Sequence, residues 1–146
     1  MNVFSAMEIV ASGLTAERTR LNITSSNLAN AGTTRTAEGG PYRRRDPVFK
    51  SEPVTSKFNE LLNDKIARQA HGVQTVEIVQ DQAPPRMVHD PGHPDADENG
   101  FVAYPNVSPV EEMVNMMMAA RAYEAGATAM RMISSMALSA LQISKG

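Results

Sequence analysis

Residues Val110 to Lys145 read VEEMVNMMMAARAYEAGATAMRMISSMALSALQISK, with no proline and a single glycine, Gly126. Length and pattern make this run a helix, but its polarity is inverted. A surface helix is ordinarily apolar along one stripe and polar elsewhere. Here Arg121, Glu124, Thr128, Arg131, Ser135 and Gln142 gather into one narrow polar line at helical spacing, and most of the remaining girth is Met, Ala, Leu, Ile and Val. Such a helix must be covered from several directions, by its own chain or by neighbours. Its start is marked by Ser108-Pro109-Val110-Glu111, with Ser at the N-cap, Pro at the first helical position and Glu at the third. About 36 residues at about 1.5 Å each give a rod of about 54 Å.

A second helix is expected near the other end of the chain, from Ser5 to Asn30. Met7, Leu14, Leu21 and Leu28 recur every seven residues, with Val10 and Thr24 at the intermediate seam positions and Glu17 interrupting them. Ser5 and Glu8 fit a capping box, Asn2 is a rival cap, and Asn30-Ala31-Gly32 supplies a stop, with Gly32 as the left-handed residue after the helix. Two helices this long do not collapse into a ball in a chain of 146 residues. The expected fold is α+β: residues 1–32 and 108–146 pair as an antiparallel α-helical coiled coil, and residues 33–107 form a small β-rich insert between them.

Within the insert, Gly72 to Gln80 (GVQTVEIVQ) is β-branched and alternating, the best strand in the chain. Pro41–Arg45, Val48-Phe49 and Phe101–Tyr104 read as shorter strands. Asp81–Pro85 is expected to turn the main strand back onto Arg86–His89. A short amphipathic helix is expected over 57–68, where Phe58, Leu61, Leu62 and Ile66 fall at helical spacing.

Composition excludes several function classes. A net charge of -2 argues against nucleic acid as the main partner, and the Arg43–Arg45 run reads as a solvated loop. There is no cysteine, so no disulfide framework or thiol chemistry. The longest uncharged run near the C-terminus, Met132 to Ser144, is shorter than the about 20 residues that span a bilayer. The opening MNVFSAMEIVASGLTAERTRL lacks a basic first region and is read as carrying no secretory signal.

Two constellations invite a metal. Asp95, Asp97, Asn99 and Gly100 match the first half of a calcium loop, but its twelfth position is Asn106, which cannot supply a bidentate carboxylate. His89 and His93 are four apart, yet Pro91-Gly92 prevents the helix that would bring them together. The bland reading is a connector using Asp, Asn and Gly for local turns. The alternative is a periplasmic metal-binding module using His89 to Asn99, which calorimetry with calcium, copper and zinc would detect. Met113, Met116, Met117 and Met118 could be soft copper ligands, but Met among alanines is more simply an adaptable packing surface. No catalytic dyad, phosphate loop or nucleophile motif is present, so neither an enzyme nor a cofactor is expected.

Ser25-Ser26-Asn27-Leu28-Ala29-Asn30-Ala31 resembles the signature near the N-terminus of bacterial flagellar rod and hook proteins. Further stretches resemble the basal-body rod family, its proximal rod subunits in particular: Gly40–Arg43, Gln82–Pro84, Asp90–Val102, Pro105–Val107, Val110–Met116 and Ala120–Tyr123. The family motif carries over to Ser26, Asn27, Leu28, Ala29 and Asn30. The resemblance implies a structural axial subunit of the flagellar basal body. Such a subunit is exported unfolded by the flagellar type III system and polymerises helically into the drive shaft crossing the periplasm. Its implied partners are copies of itself, other rod subunits, the adapter at the base of the rod and the type III export apparatus. On that reading Met7, Leu14, Leu21 and Leu28 of the first helix are assembly positions. So are Met117, Met118, Ala122, Ala125, Ala129, Met132, Met136 and Leu141 of the second, burying against the first helix and adjacent subunits. Arg121, Glu124, Thr128, Arg131, Ser135 and Gln142 are expected to face the central export channel.

Overall fold

The computed structural model describes residues 3–54 and 71–143. The helix expected over 57–68 lies outside the described residues. The order is α1 (Val3–Ala29), β1 (Arg45–Pro53), β2 (His71–Gln80), β3 (Arg86–His89), β4 (Phe101–Tyr104) and α2 (Pro109–Ile143), an α+β arrangement with long helices at both ends.

The two helices pack along one another and run antiparallel. Asn27, near the end of α1, hydrogen-bonds Glu112 at the start of α2, and Leu14 sits against Gly126. A Cβ built on Gly126 would lie 3.0 Å from Leu14 Cδ2. The absence of a side chain therefore lets the helices close at that level. By this register Val3 stands opposite Ala137, so the last turns of α2, Leu141 among them, extend past the described part of α1.

Local chemistry sets the helix ends. Ser5 already lies inside α1, so the Ser5–Glu8 pair does not cap it. At the other end Gly32 has no positive φ, contrary to the expected left-handed stop. Asn30 does the work instead: its Nδ2 donates to the Ser26 carbonyl at 2.8 Å, and Thr33 Oγ1 donates to its Oδ1 at 3.2 Å. That carbonyl also accepts Asn30 N–H at 3.1 Å, so the side-chain amide adds a second donor to it at the helix end. α2 begins as its sequence predicts, with Pro109 in the first turn and Glu112 N–H donating to the Ser108 carbonyl at 3.0 Å.

The strands pair differently from the expected order. β2 does not fold back onto β3; it pairs antiparallel with β1, and β3 pairs with β4 in a second two-stranded sheet. Two effects decide this. Pro84-Pro85 offers no backbone donors for a tight hairpin, while Asp81 N–H extends the first ladder by donating to Arg44 O at 2.8 Å. The β3–β4 turn is closed by Asp97, whose Oδ1 accepts from Asn99 and Phe101 N–H at 2.9 and 2.8 Å. The strand expected at Pro41–Arg45 starts only at Arg45, because Tyr42 turns inward and is buried.

The edges of the first sheet are protected. Pro47 and Pro53 blunt β1. On β2, Val73 N–H donates to Ser12 Oγ of α1 at 3.0 Å. Gly72 is buried at this contact, and an added Cβ would sit 2.8 Å from Ser12 Oγ and 3.3 Å from Val54 Cγ2. Gly72→Ala should therefore cost about 1–3 kcal/mol, the range for overpacking. Chemical denaturation should show the loss, and Ser12→Gly in the same chain should recover part of it.

The core is small. Ala16, Ile23, Tyr42, Val102, Pro105, Val107 and Ala119 are the buried apolar side chains among the residues described. The chain exposes 10460 Å², against roughly 7,300 Å² for a compact folded monomer of its mass. The apolar girth of α2 that the sequence leaves over is left over in the structure as well.

Candidate functional site

Where α1, α2 and the start of β1 meet, four polar side chains fill the space that a larger protein would give to hydrophobes. Asn27 and Glu112 are each 1 % exposed. Asn27 uses its whole hydrogen-bonding capacity: Nδ2 donates to Arg45 O at 2.8 Å and to Glu112 Oε2 at 3.0 Å. Its Oδ1 accepts from Tyr42 OH and Arg45 N, both at 2.9 Å. Glu112 Oε1 accepts from Arg44 Nε at 2.8 Å, so each carboxylate oxygen has a donor. Arg44 also pairs with Asp46.

A buried carboxylate is tolerable only when paired and hydrogen-bonded, and Glu112 is both. Burial of the Arg44 guanidinium opposes its charge, but the hydrogen bond to Glu112 and the nearby charges of Asp46, Glu112 and Asp81 outweigh it. Its pKa lies above the ordinary arginine value. A raised pKa means the stabilising term is fully present below the unfolded value and lost only as pH rises through the folded one. The Arg44 charge is therefore fixed at any pH near neutrality.

The hub gives a physical role to one residue of the motif read from the sequence. Asn27 ties α1 to both other elements, and the Asn30 amide donates to the Ser26 carbonyl at the end of α1. Ser26 and Leu28 are half-buried, and Ala29 is exposed. Tyr42 and Glu112 lie in stretches that resemble the family but were given no role from the sequence, and Arg44 corrects the reading of Arg43–Arg45 as a solvated loop. One signal was available for Glu112. It lies seven residues before Ala119 and fourteen before Gly126, on the face that meets α1, so a charge occupies an otherwise small, apolar seam.

The remaining positions divide by face. Met7, Leu14, Leu21 and Leu28 are half-buried. On α2 the face toward α1 carries Glu112, Ala119 and Gly126, whereas Met117, Met118, Met132, Met136 and Leu141 are each more than half exposed. Ala122 and Ala125 are exposed and Ala129 half-buried. Met118, Met132 and Met136 flank the stripe that α1 covers, whereas Met117, eighteen residues before Ser135, falls on the polar line, and Leu141 lies past the described part of α1. Arg121, Glu124, Thr128, Arg131, Ser135 and Gln142 are all exposed, on the side of α2 turned away from Ala119 and Gly126. Part of that line is knitted along the helix: Arg131 donates to Thr128 Oγ1 at 3.2 Å, and Thr128 donates to Glu124 O at 3.0 Å.

The acidic loop spends its polar atoms on itself. Besides the Asp97 turn, Asp90 Oδ1 accepts from Gly92 N–H at 3.3 Å, and His93 Nδ1 accepts from Asp95 N–H at 3.1 Å. Asp95 Oδ2 accepts from Thr34 Oγ1 at 2.8 Å, which pins the loop to the end of α1's connector. Among the described residues no three His, Asp or Glu side chains converge on one point. No helix among them is long and apolar enough to cross a membrane.

Comparison with known proteins matches both ends of the chain. Residues 7–35 match the family described as flagella basal body rod protein, and residues 98–143 match the C-terminal family of flagellar basal body rod FlgEFG proteins. The chain is 39% identical to the flagellar basal-body rod protein FlgC of Borreliella burgdorferi, over 100% of both chains. It is 38% identical to the FlgC of Bacillus subtilis, over 99% of this chain and 100% of the relative. With the FlgC of Salmonella typhimurium it shares 36% identity over 98% of each. The matched terminal segments contain Asn27 and Glu112, the two ends of the buried hub.

Proposed function

The chain belongs to the flagellar basal-body rod protein family, and from that membership we propose how its surfaces are used. Its role is structural: it is a subunit of the proximal rod of the flagellar basal body, where it assembles with other rod and basal-body proteins. The finer reading is that α1 and α2 wind as an antiparallel coiled coil and that subunits polymerise helically into a shaft that transmits torque. The β-rich middle region lies outside that coiled coil. The adapter at the base of the rod and the type III export apparatus are the further partners.

The exposed apolar flank of α2 carries this reading. Met118, Met132 and Met136 stand more than half exposed on a helix whose adjoining stripe is already occupied by α1. Burying a Met side chain is worth about 1.5–3 kcal/mol. Their exposure in one chain is therefore free energy available to contacts between chains. Unbranched Met also adapts to neighbours that are not identical, as the ends of a short rod require. The polar line of Arg121, Glu124, Thr128, Arg131, Ser135 and Gln142 faces the channel, where small polar and mixed-charge groups would not retain an unfolded apolar chain in transit.

Cysteine cross-linking tests the assignment of faces, and the chain has no cysteine of its own to interfere. In basal bodies built from the variants, Met132→Cys and Met136→Cys should give cross-links between subunits. Arg131→Cys should give none and should instead react with a small soluble maleimide added to purified rods. Cross-links from Arg131→Cys alone would reverse the assignment.

A further inference from the structure

Apart from the close fit of Leu14 on Gly126, the seam between α1 and α2 is built from residues that discriminate poorly between registers. Around the α2 levels that meet α1, Met116, Ala119, Gly126, Ala127 and Met130 are half-buried or buried. Alanine presents the same methyl at every level, and Met adapts to whatever it meets. Moving α2 along α1 by one heptad, about 10 Å, would keep the same periodic faces together. Glu112 would then stand opposite Arg20 and Gly126 opposite Met7. The charge of Glu112 would not forbid this slip, since Arg20 is present on α1 and in the observed register pairs with the nearby Glu17 at 3.7 Å.

What the slipped register cannot supply is the set of partners fixed by geometry. Glu112 needs donors to both oxygens, and it finds them in Arg44 Nε and Asn27 Nδ2. Asn27 needs the Arg45 backbone and Tyr42 OH. A slip would take Glu112 away from Asn27 Nδ2 and separate Arg44 from its carboxylate. Buried polar groups that are fully satisfied in only one arrangement select that arrangement, even where they add little to net stability.

We propose that the Asn27–Tyr42–Arg44–Glu112 hub is the register lock of this subunit. It chooses among helix pairings that the apolar seam leaves nearly equivalent, and so fixes which residues of α2 are presented outward. The inference rests on the chain's own geometry and not on the rod reading, so either can fail without the other.

Three cysteine pairs read the register in cells making only the variant chain: Leu14→Cys with Gly126→Cys for the observed pairing, Met7→Cys with Gly126→Cys for the slip, and Arg18→Cys with Gly126→Cys as an outward-facing control. After oxidation, intrachain disulfide is separated from interchain product on a non-reducing gel and confirmed by mass spectrometry. In the otherwise unchanged chain only the 14–126 pair should close. In an Arg44→Met, Glu112→Leu background, which removes both charges together, the 7–126 pair should rise at least fivefold while 14–126 falls. Glu112→Gln, which keeps an acceptor for Arg44, should retain the observed pairing. Persistence of 14–126 as the sole product in the apolar background would overturn the proposal. Loss of every cross-link there would overturn it too, because the hub would then hold the helices together without choosing between registers.

Discussion

Arg44→Ala is expected to destabilise the subunit by about 3–5 kcal/mol, the cost of breaking a buried ion pair by removing one partner. The reasoning turns on what is left behind. The Glu112 side chain is 2% exposed, and without Arg44 its Oε1 has no donor within the hub. The remaining contact, from Asn27 Nδ2 to Oε2, is a neutral donor and does not balance a carboxylate. Small domains are stable by only about 5–15 kcal/mol in total, so the loss is a large fraction of what holds the helices to the middle region. Denaturant titration of the purified chain should show the fall in midpoint, and cells carrying only this variant should lose motility. Glu112→Gln should cost less, since it keeps the shape and one acceptor for Arg44 and gives up only the charge and the acceptor for Asn27 Nδ2. If Arg44→Ala and Glu112→Gln behaved alike, the pair would matter only as packing.

The second large effect is on assembly and leaves the subunit intact. Met132→Asp together with Met136→Asp should abolish rod formation and motility while leaving the denaturation midpoint of the free chain unchanged within about 0.5 kcal/mol, the usual range for exposed positions. Both side chains are more than half exposed in the single chain, and neither lies on the face that meets α1. Each loses an apolar contribution of about 1.5–3 kcal/mol at every copy of the contact, and each places a charge where the rod reading buries it. Arg131→Ala, one residue away but on the polar line, should leave motility in place. Loss of motility with Arg131→Ala and retention with the double aspartate would mean that the faces of α2 are used the other way round.

The helices were legible in the sequence because their signals are local and strong. Ser108-Pro109 marks the start of α2, and the heptad repeat marks α1 as a helix, although its buried positions are Ala16, Ile23, Thr24 and Asn27. Strand pairing was not legible. Gly72–Gln80 is plainly a strand, yet whether it meets Val48-Phe49 or Met87-Val88 depends on donors that Pro84-Pro85 lacks and on a ladder that continues through Asp81. The polar hub was half legible. Asn27 stood out through the family motif, but its partners Tyr42, Arg44 and Glu112 lie far away in sequence and converge only in three dimensions. An arginine in a basic run looks solvated until the fold provides a buried carboxylate for it. The acidic loop shows the converse, since its cation-like spacing is taken up by local turns and by Thr34.

A density map of the assembled basal body containing this chain, resolved well enough to place side chains, tests the central claim most directly. The account predicts Met118, Met132 and Met136 packed against a neighbouring subunit, with Arg121, Glu124, Thr128 and Arg131 lining the open channel. A map with that polar line packed against another helix, and the methionines facing the channel, would contradict it.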